Sequence, residues 1–316
     1  MKILANDGIS KAGENALLEK GFEVLTIHVA QDQLENYINQ NGVEVLLVRS
    51  ATKVRKELID ATNLKVIGRG GVGMDNIDVE YARSKGIQVI NTPASSSASV
   101  AEFVMAHLFS IVRNLHQANR SMPLEGDSNF NGLKKAYAKA IELRGKTMGV
   151  IGFGKIGVEV IREAIGLGMN ILVYDKFPVT HDIELEFFDG QKLNFTIASV
   201  DFDEVITKSD FITLHVPAQD GYILGENEFA KMKDGVVVIN TARGGVVDEK
   251  ALVDAIEEGK VAGAALDVFE NEPNPEMGLL MNESISLSPH IAGSTSEAQD
   301  RIGTELATQI ADIYGK

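Results

Sequence analysis

The chain has 316 residues, no cysteine, 30 basic and 45 acidic side chains, and a formal net charge of −15. This acidity argues against a nucleic-acid or anionic-membrane partner, and the lack of cysteine excludes disulfides and thiolate sites. We therefore expect a cytoplasmic protein of two domains that acts on a small molecule and needs no metal.

Strands and helices alternate strictly over the first ninety residues. Strands are predicted at Lys2 to Ala5, Phe22 to Ile27, Val43 to Val48, Leu64 to Ile67 and Ile87 to Ile90. Helices are predicted at Lys11 to Lys20, Gln31 to Asn41, Lys53 to Ala61 and Val79 to Lys85. Such alternation indicates a parallel sheet covered on both faces. The opening residues, MKILANDGIS, lack the apolar core of a signal peptide.

A break in this pattern at Asn91, Thr92 and Pro93 predicts a domain boundary. The serine-rich stretch that follows begins one long helix, predicted from Ser95 to Met122. Its most apolar part contains Glu102 and His107 and is too short to cross a membrane. Residues 123–140 suggest an exposed arm with a short helix, and a disordered loop and an oligomer contact are equally compatible with this segment.

The stretch from Thr147 to Asp175 has the pattern of a dinucleotide-binding unit. A short apolar strand precedes Gly152, Gly154 and Gly157, whose spacing suits a tight turn, close backbone approach to a pyrophosphate and helix-on-strand packing. Apolar residues then recur at helical spacing, so a helix N-terminus faces the turn. The next strand ends on Asp175, whose carboxylate can bind both ribose hydroxyls. This predicts NAD as the cofactor rather than NADP.

A second match to the same glycine spacing occurs at Gly68, Gly70 and Gly73. Here turn-forming and acidic residues follow instead of a helix, and the next strand ends without an acidic residue. We therefore assign the cofactor to the Gly152 turn.

Alternation resumes after this unit. Strands are predicted at Phe211 to His215, Val236 to Ile239, Ala262 to Leu266 and Ser284 to Ser288, and helices at Asp201 to Lys208, Gly225 to Met232 and Asp248 to Glu258. Residues 181–199 instead alternate around Asp189 and Gly190, which predicts a hairpin. Ser294 is predicted to cap a final amphipathic helix that returns to the first domain.

Three polar stretches follow strands of the second predicted sheet, where open α/β sheets bind ligands. Arg243 can hold a carboxylate or polarise a carbonyl, His290 can exchange a proton, and Glu272 can orient the imidazole and favour its charged form. Taken singly, these residues also fit a salt bridge, a hydrogen-bonded core histidine and a solvated loop, respectively. Together, beside a dinucleotide turn, they indicate hydride transfer.

The chain resembles the D-isomer-specific 2-hydroxyacid dehydrogenases along almost its whole length. The matching motifs are VRSATKV, KVIGRGGVGMDNID, GFGKIG, INTARGGVVDE, AGAALDVFENEP and SPHIAGSTSEAQ. The resemblance implies an α/β fold in which a Rossmann-type NAD-binding domain, residues 96–285, is inserted into a flavodoxin-like substrate domain, residues 1–95 and 286–316. It also implies a homodimer or homotetramer paired through the NAD-binding domain.

The family also implies roles for individual residues. Arg243, Glu272 and His290 form the catalytic set. The residues expected around the cofactor are Gly152, Gly154, Lys155, Ile156, Gly157, Asp175, Val216, Thr241, Ala242, Asp267 and Ala292. Those expected around an anionic substrate are Arg49, Ser50, Arg69, Gly71 and Val72.

Among family members, the resemblance is strongest to those that oxidise D-3-phosphoglycerate in serine synthesis, in their short form without a regulatory domain. A glyoxylate or hydroxypyruvate reductase is the alternative within the family, and Arg49 and Arg69, which suit a phosphate, argue against it. An NAD-sensing protein similar to the co-repressor relatives is the alternative from another class. The hairpin-like stretch departs from the family pattern at the rim expected beside the adenine.

Overall fold

The computed structural model describes residues 1–316, which divide into two units. The terminal unit comprises Met1–Ser99 and Gly293–Lys316, and the central unit comprises Val100–Ala292. No helix in either unit is both long enough and apolar enough to cross a membrane.

The terminal unit is a five-stranded parallel sheet with helices on its faces. Its strands are β1 (Lys2–Ala5), β2 (Glu23–Leu25), β3 (Val43–Val48), β4 (Val66–Arg69) and β5 (Gln88–Asn91). Its helices are α1 (Lys11–Glu19), α2 (Leu34–Asn41), α3 (Lys56–Ala61), α4 (Val79–Ser84) and the last helix of the chain, which spans Ser296–Ile313.

The strand order of this sheet is β2-β1-β3-β4-β5, the flavodoxin-like order. The last helix of the chain contributes Ile302, Leu306 and Ile310 to one of the two cores of this unit. The prediction that this helix returns to the first domain is therefore confirmed. In such a sheet, the ligand crevice lies at the carboxyl ends of β1 and β3, where the strand order reverses.

The central unit begins with helices and continues as a six-stranded parallel sheet. Its helices are α5 (Ser97–Val112, which begins in the terminal unit), α6 (Leu115–Glu125), α7 (Phe130–Ala136), α8 (Lys155–Gly166), α9 (Phe202–Lys208), α10 (Glu226–Lys231), α11 (Glu249–Glu257) and α12 (Met277–Leu280), which makes the last helix of the chain α13. Its strands are β6 (Thr147–Ile151), β7 (Asn170–Tyr174), β8 (Thr180–Glu186), β9 (Lys192–Ala198), β10 (Phe211–Leu214), β11 (Val236–Asn240), β12 (Val261–Leu266) and β13 (Ile285–Leu287).

The large sheet of this unit has the order β13-β12-β11-β10-β6-β7. Along β11, Val236 and Val238 belong to one core cluster, whereas Val237 and Ile239 belong to the other. This alternation is the period of two expected for a strand buried on both faces. The order reverses between β6 and β10, so the ligand crevice of this sheet lies at their carboxyl ends.

Three local predictions can be compared with this fold. The predicted hairpin is confirmed, because β8 and β9 pair antiparallel from Thr180 opposite Ala198 to Glu186 opposite Lys192. The predicted single helix from Ser95 to Met122 is wrong: Asn114, with a left-handed φ of 53°, separates α5 from α6. Asparagine tolerates this conformation better than most residues.

The predicted cap of the last helix is also wrong, by one residue. Thr295 rather than Ser294 is the N-cap of α13, and its hydroxyl accepts a hydrogen bond of 3.1 Å from the amide of Ala298. Both residues carry a hydroxyl, so composition does not distinguish them. The extended backbone at Thr295, with φ −87° and ψ 156°, places its oxygen over the first turn.

Glu163 on α8 gives the fold an expected pH dependence. Burial, reinforced by the carboxylates of Glu102 and Glu159, raises the pKa of Glu163 to about 7. The folded-state pKa lies above the ordinary value of 4.5, so Glu163 binds its proton more tightly in the folded than in the unfolded chain. The stability that this proton contributes is fully present below about pH 4.5 and is lost as the pH rises through 7. We compare the unfolding free energy of Glu163→Gln with that of the wild type at pH 5 and at pH 8. Allowing for partial solvent access, we expect the difference between them to shift by about 2 kcal/mol in favour of the variant at pH 8.

Urea unfolding at both pH values measures this difference. Glu80→Gln is the matched control, because the side chain of Glu80 is 93% exposed. An equal difference between wild type and Glu163→Gln at the two pH values contradicts the assignment.

Candidate active site

The glycine turn between β6 and α8 has the geometry of a pyrophosphate site. Gly152 has φ 104°, and a Cβ there would lie 2.3 Å from the carbonyl oxygen of His215. A Cβ on Gly157 would lie 2.1 Å from the oxygen of Gly152, whereas one on Gly154 would meet nothing within 4 Å. Two of the glycines are thus required by packing, and the third leaves open space beside the backbone.

The N-terminus of α8 opens onto this space. Its N-cap, Gly154, has no side chain to bond the first amides of the helix. The N–H groups of Lys155, Ile156 and Gly157 belong to the first turn, and together with the helix dipole they favour an anion. The turn therefore fits the pyrophosphate of a dinucleotide.

Asp175 follows β7 and contacts the same turn. One carboxylate oxygen accepts a hydrogen bond of 2.8 Å from the amide of Phe153, inside the glycine motif. Each carboxylate oxygen can accept more than one hydrogen bond, so the group can still bind ribose hydroxyls. Asp175 therefore has a structural task in addition to the predicted one.

The β8–β9 hairpin supports the turn from another side, which was not predicted. Nε2 of His181 lies 3.2 Å from the carbonyl oxygen of Phe153, and the two rings meet edge to face at 4.6 Å. Ile183 is fully buried, and Arg162 of α8 donates to the carbonyl of Glu184. Alternation in the sequence indicated the hairpin but not the element it packs against.

The three predicted catalytic residues follow neighbouring strands. Asn240 at the end of β11 pairs with Leu266 of β12, which pairs with Leu287 of β13. Parallel neighbours end at the same edge of a sheet, so the loops after them lie together. The structure thus brings the segments carrying Arg243, Glu272 and His290 to one edge of the central unit.

His290 and Glu272 are in direct contact. Nδ1 of His290 lies 2.9 Å from one oxygen of Glu272, and the other oxygen accepts a hydrogen bond of 3.0 Å from the amide of Phe269. Since a carboxylate only accepts, Nδ1 carries the proton in this pair. In the neutral ring, Nε2 is then left with its lone pair and can act as a base. The side chains are 45% and 37% exposed, so the pair is open to a substrate.

Two features fix the loop that carries Arg243. The side chain of Asn240 accepts from the amide of Ala242 and donates to the carbonyl of Arg243, at 3.0 and 2.9 Å. A Cβ on Gly244 would lie 1.9 Å from the carbonyl oxygen of Phe269, so this loop touches the one that carries Glu272. Asn240 is 2% exposed, and its role depends on a turn that the motif alone did not reveal.

A reciprocal pair of hydrogen bonds joins the same two loops. Glu249, in the first turn of α11, accepts from the amide of Glu270 at 2.7 Å, and its own amide donates to the Glu270 carboxylate at 3.2 Å. Burial raises the pKa of Glu249. The pair holds the segment two residues before Glu272, and Glu249 was not among the predicted site residues.

The other predicted cofactor residues line this edge of the central unit. Val216 follows β10 beside Gly152, and Thr241 and Ala242 follow β11, both buried. The hydroxyl oxygen of Thr241 is buried and has no hydrogen-bond partner within the chain. An orphaned buried hydroxyl indicates a missing polar partner, which a dinucleotide can supply.

Asp267 and Ala292, both predicted to contact the cofactor, are joined by a hydrogen bond. The carboxylate of Asp267 accepts from the amides of Ile291 and Ala292, both at 2.9 Å, and from the hydroxyl of Ser288 at 2.6 Å. Asp267 is 1% exposed. Its described contacts therefore support the loop of His290, and its contact with the cofactor stays a prediction.

The predicted substrate residues lie at the carboxyl edge of the terminal sheet. Val48 pairs with Arg69, and Arg49 follows directly, so the two arginines occupy adjacent strand ends. The amide of Arg49 donates to Asp7 at 2.7 Å, and Asn76 donates to the carbonyl of Arg49 at 2.8 Å. The exposed Ser50 continues this loop.

Gly71 and Val72 were predicted to offer amides to the substrate. The amide of Gly71 donates to the hydroxyl of Thr92 at 2.8 Å, so it must exchange that partner before it can bind a carboxylate. Gly71 has φ 137°, and a Cβ there would overlap the guanidinium of Arg69. Val72 is exposed at this edge. The substrate roles of all five residues stay predictions.

Comparison with known proteins identifies the family. Residues 105–292 match the family described as D-isomer specific 2-hydroxyacid dehydrogenase, NAD binding domain. The chain is 42% identical to a hydroxypyruvate reductase of Thermotoga maritima, over 99% of this chain and 98% of the relative. It is also 42% identical to a D-3-phosphoglycerate dehydrogenase of Archaeoglobus fulgidus, over 99% of this chain but only 57% of the relative.

A solved structure agrees with these matches. The glyoxylate reductase of Paecilomyes thermophila superposes with a TM-score of 0.81 at 31% identity, covering 100% of this chain and 95% of that one. The glycine turn, Asp175 and the three strand-end loops fit NAD and hydride transfer. The chain belongs to the D-isomer-specific 2-hydroxyacid dehydrogenases, a family of NAD-dependent oxidoreductases.

Proposed function

We propose that the protein oxidises D-3-phosphoglycerate to 3-phosphohydroxypyruvate with NAD, the first step of L-serine synthesis. In this proposal the terminal unit binds the substrate and the central unit binds NAD. The observation that carries it is the adjacency of Arg49 and Arg69 at the carboxyl ends of β3 and β4. The similarity to D-3-phosphoglycerate dehydrogenases supports it.

A phosphate needs local positive charge in this protein. The net charge is −15, so a doubly charged phosphate is repelled by the chain as a whole. Arginine offers planar, bidentate hydrogen bonds that match phosphate oxygens. Two arginines on neighbouring strand ends can therefore offset the repulsion and fix the orientation of the substrate.

The proposed reaction assigns one task to each catalytic residue. Nε2 of His290 takes the proton of the substrate hydroxyl, and the Glu272 carboxylate, 2.9 Å from Nδ1, stabilises the imidazolium that forms. The guanidinium of Arg243 binds the substrate carboxylate and the oxygen that becomes a carbonyl. NAD supplies the nicotinamide ring that receives the hydride. In the reverse direction, protonated His290 returns the proton to the alkoxide.

Hydroxypyruvate reduction is the alternative, supported by the Thermotoga maritima relative, which matches this chain over nearly its full length. Its substrate carries a hydroxyl where phosphohydroxypyruvate carries a phosphate. The two proposals therefore differ in whether the arginines of the terminal unit bind a dianion. A steady-state screen of D-3-phosphoglycerate, D-glycerate, D-lactate and glyoxylate with both cofactors distinguishes them.

Replacing Arg69 by alanine tests the phosphate assignment. A charge-assisted hydrogen bond contributes about 1.5–3 kcal/mol, so we expect kcat/KM for D-3-phosphoglycerate to fall about tenfold or more. The value for D-glycerate should stay nearly unchanged, because that substrate lacks the phosphate. The ratio of the two values within one variant cancels general damage to the fold.

Arg55→Ala is the control, because it removes another arginine of the terminal unit, whose guanidinium pairs with the Asp78 carboxylate at a distance of 2.9 Å. We expect this control to leave the substrate ratio as in the wild type. If Arg69→Ala lowers both efficiencies equally, Arg69 has a structural role and the phosphate specificity loses its physical basis.

We also propose that the enzyme is a homodimer or homotetramer paired through the NAD-binding domain. Leu115, Leu124 and Phe130 on the helices α6 and α7 are 61%, 83% and 57% exposed. A second subunit that covers this apolar surface would remove it from water.

A further inference from the structure

His107 of α5 lies between Ser286 of β13 and Ser288, which follows this strand two residues before His290. Nδ1 of its ring is 2.9 Å from the hydroxyl of Ser286, and Nε2 is 3.0 Å from the hydroxyl of Ser288. The residue is 7% exposed, and Phe103 packs edge to face against its ring at 4.7 Å. A buried imidazole with both nitrogens bonded has a fixed orientation.

The partners of Ser288 determine where the protons lie. Its hydroxyl is 2.6 Å from the carboxylate of Asp267, which only accepts, so Ser288 uses its single hydrogen there. Nε2 of His107 must therefore donate to Ser288. Burial lowers the pKa of His107, so the ring is neutral near pH 7 and Nδ1 accepts from Ser286. The hydrogen bonds run in one direction, from Ser286 through His107 and Ser288 to Asp267.

Asp267 connects these hydrogen bonds to the backbone of the loop that carries His290. Its carboxylate accepts from the two amides that follow His290, at 2.9 Å each. His290 itself has φ 56°, a left-handed conformation that is unfavourable for a residue with a side chain. The hydrogen bonds from these two amides hold the loop in this conformation, while the Glu272 carboxylate holds the imidazole ring.

We propose that His107 is a positioning residue of the active site, which orients the Ser288 hydroxyl toward Asp267 and so keeps the backbone of His290 in its left-handed conformation. This inference rests on the proposed role of His290 as the base. If Nε2 did not donate, the Ser288 hydrogen would be free to turn away from Asp267. The carboxylate would then hold the loop with one hydrogen bond fewer.

The test compares His107→Leu, which cannot donate, with His107→Gln, whose amide can donate from a position similar to Nε2. We expect His107→Leu to lower kcat about fivefold, as for the loss of one buried hydrogen bond, with the KM for NAD within about twofold of the wild type. His107→Gln should restore most of the activity. His116→Gln is the control, because His116 bonds the carbonyls of Ser110 and Glu283 instead of this chain of hydrogen bonds.

A double-mutant cycle with Ser288→Ala distinguishes an effect of His107 that is transmitted through Ser288 from independent effects of the two substitutions on activity. If His107 acts through Ser288, the loss in the double variant should equal that of Ser288→Ala alone, whereas independent effects multiply. Amide hydrogen exchange gives a second readout without turnover. Exchange at Ile291 and Ala292 should accelerate in His107→Leu more than exchange in the core strands.

Multiplying losses, or equal acceleration at all amides, would overturn the inference. The proposed function fails separately. If His290→Asn keeps full turnover while exchange at Ile291 and Ala292 still responds to His107→Leu, then His107 does position this loop and His290 has been wrongly assigned as the base.

Discussion

Replacing His290 by asparagine is expected to lower kcat about 10²- to 10⁴-fold, the usual contribution of a general acid or base, while binding of NAD stays nearly unchanged. The side-chain amide of asparagine can donate to Glu272 as Nδ1 of the imidazole does, at 2.9 Å in the native pair. Asparagine also tolerates the left-handed φ of 56° at this position. The substitution therefore removes Nε2 and leaves the loop intact.

Steady-state kinetics in both directions and calorimetric titration with NAD measure the two expected effects. His116→Gln removes another imidazole of the central unit, outside the three strand-end loops, and should keep kcat near the wild-type value. A kcat of His290→Asn within about threefold of the wild type would show that another group moves the proton.

The cofactor turn could be predicted from the sequence because only glycine fits at two of its positions. Gly152 and Gly157 occupy positions where a Cβ would overlap backbone, so the residue type itself carries the information. Arg243, Glu272 and His290 were predicted for a related reason. Each follows a buried strand, and parallel strands bring such loops to one edge.

The supporting residues could not be predicted, because their partners are distant in sequence. His107 is 179 and 181 positions from the two serines it contacts. In the sequence it is one of several polar residues in a largely apolar helix, and together with Glu102 it argues only against a membrane span. Glu249 lies 21 positions from Glu270 and resembles any acidic residue in a first helical turn.

Small errors in the predicted fold have a similar origin. The apolar pattern of the sequence does not reveal that Asn114, with a left-handed backbone, separates α5 from α6. Ser294 and Thr295 offer the same hydroxyl, and the path of the backbone selects between them. Patterns of residue type therefore located the elements, whereas tertiary contacts determined where each one ends.

Asp175 is expected to make the wild-type enzyme prefer NAD over NADP by two to three decades in kcat/KM. A carboxylate about 4 Å from the ribose phosphate of NADP is repelled by up to ~4 kcal/mol at an effective dielectric near 20, and each ~1.4 kcal/mol is a factor of ten. Lys176 is the adjacent positive side chain in the sequence. Equal efficiency with the two cofactors would contradict this assignment.

Asp175→Asn is the variant that isolates the charge. Alanine at this position would also remove the hydrogen bond of 2.8 Å from the amide of Phe153, and the glycine turn would lose an anchor. Asparagine keeps an oxygen that can accept from Phe153 but carries no negative charge. We therefore expect Asp175→Asn to raise the ratio of NADP to NAD efficiency at least about tenfold while the turn keeps its shape. If the ratio rises in Asp175→Ala but not in Asp175→Asn, cofactor choice depends on the shape of the turn and on side-chain volume, and electrostatic repulsion is not its cause.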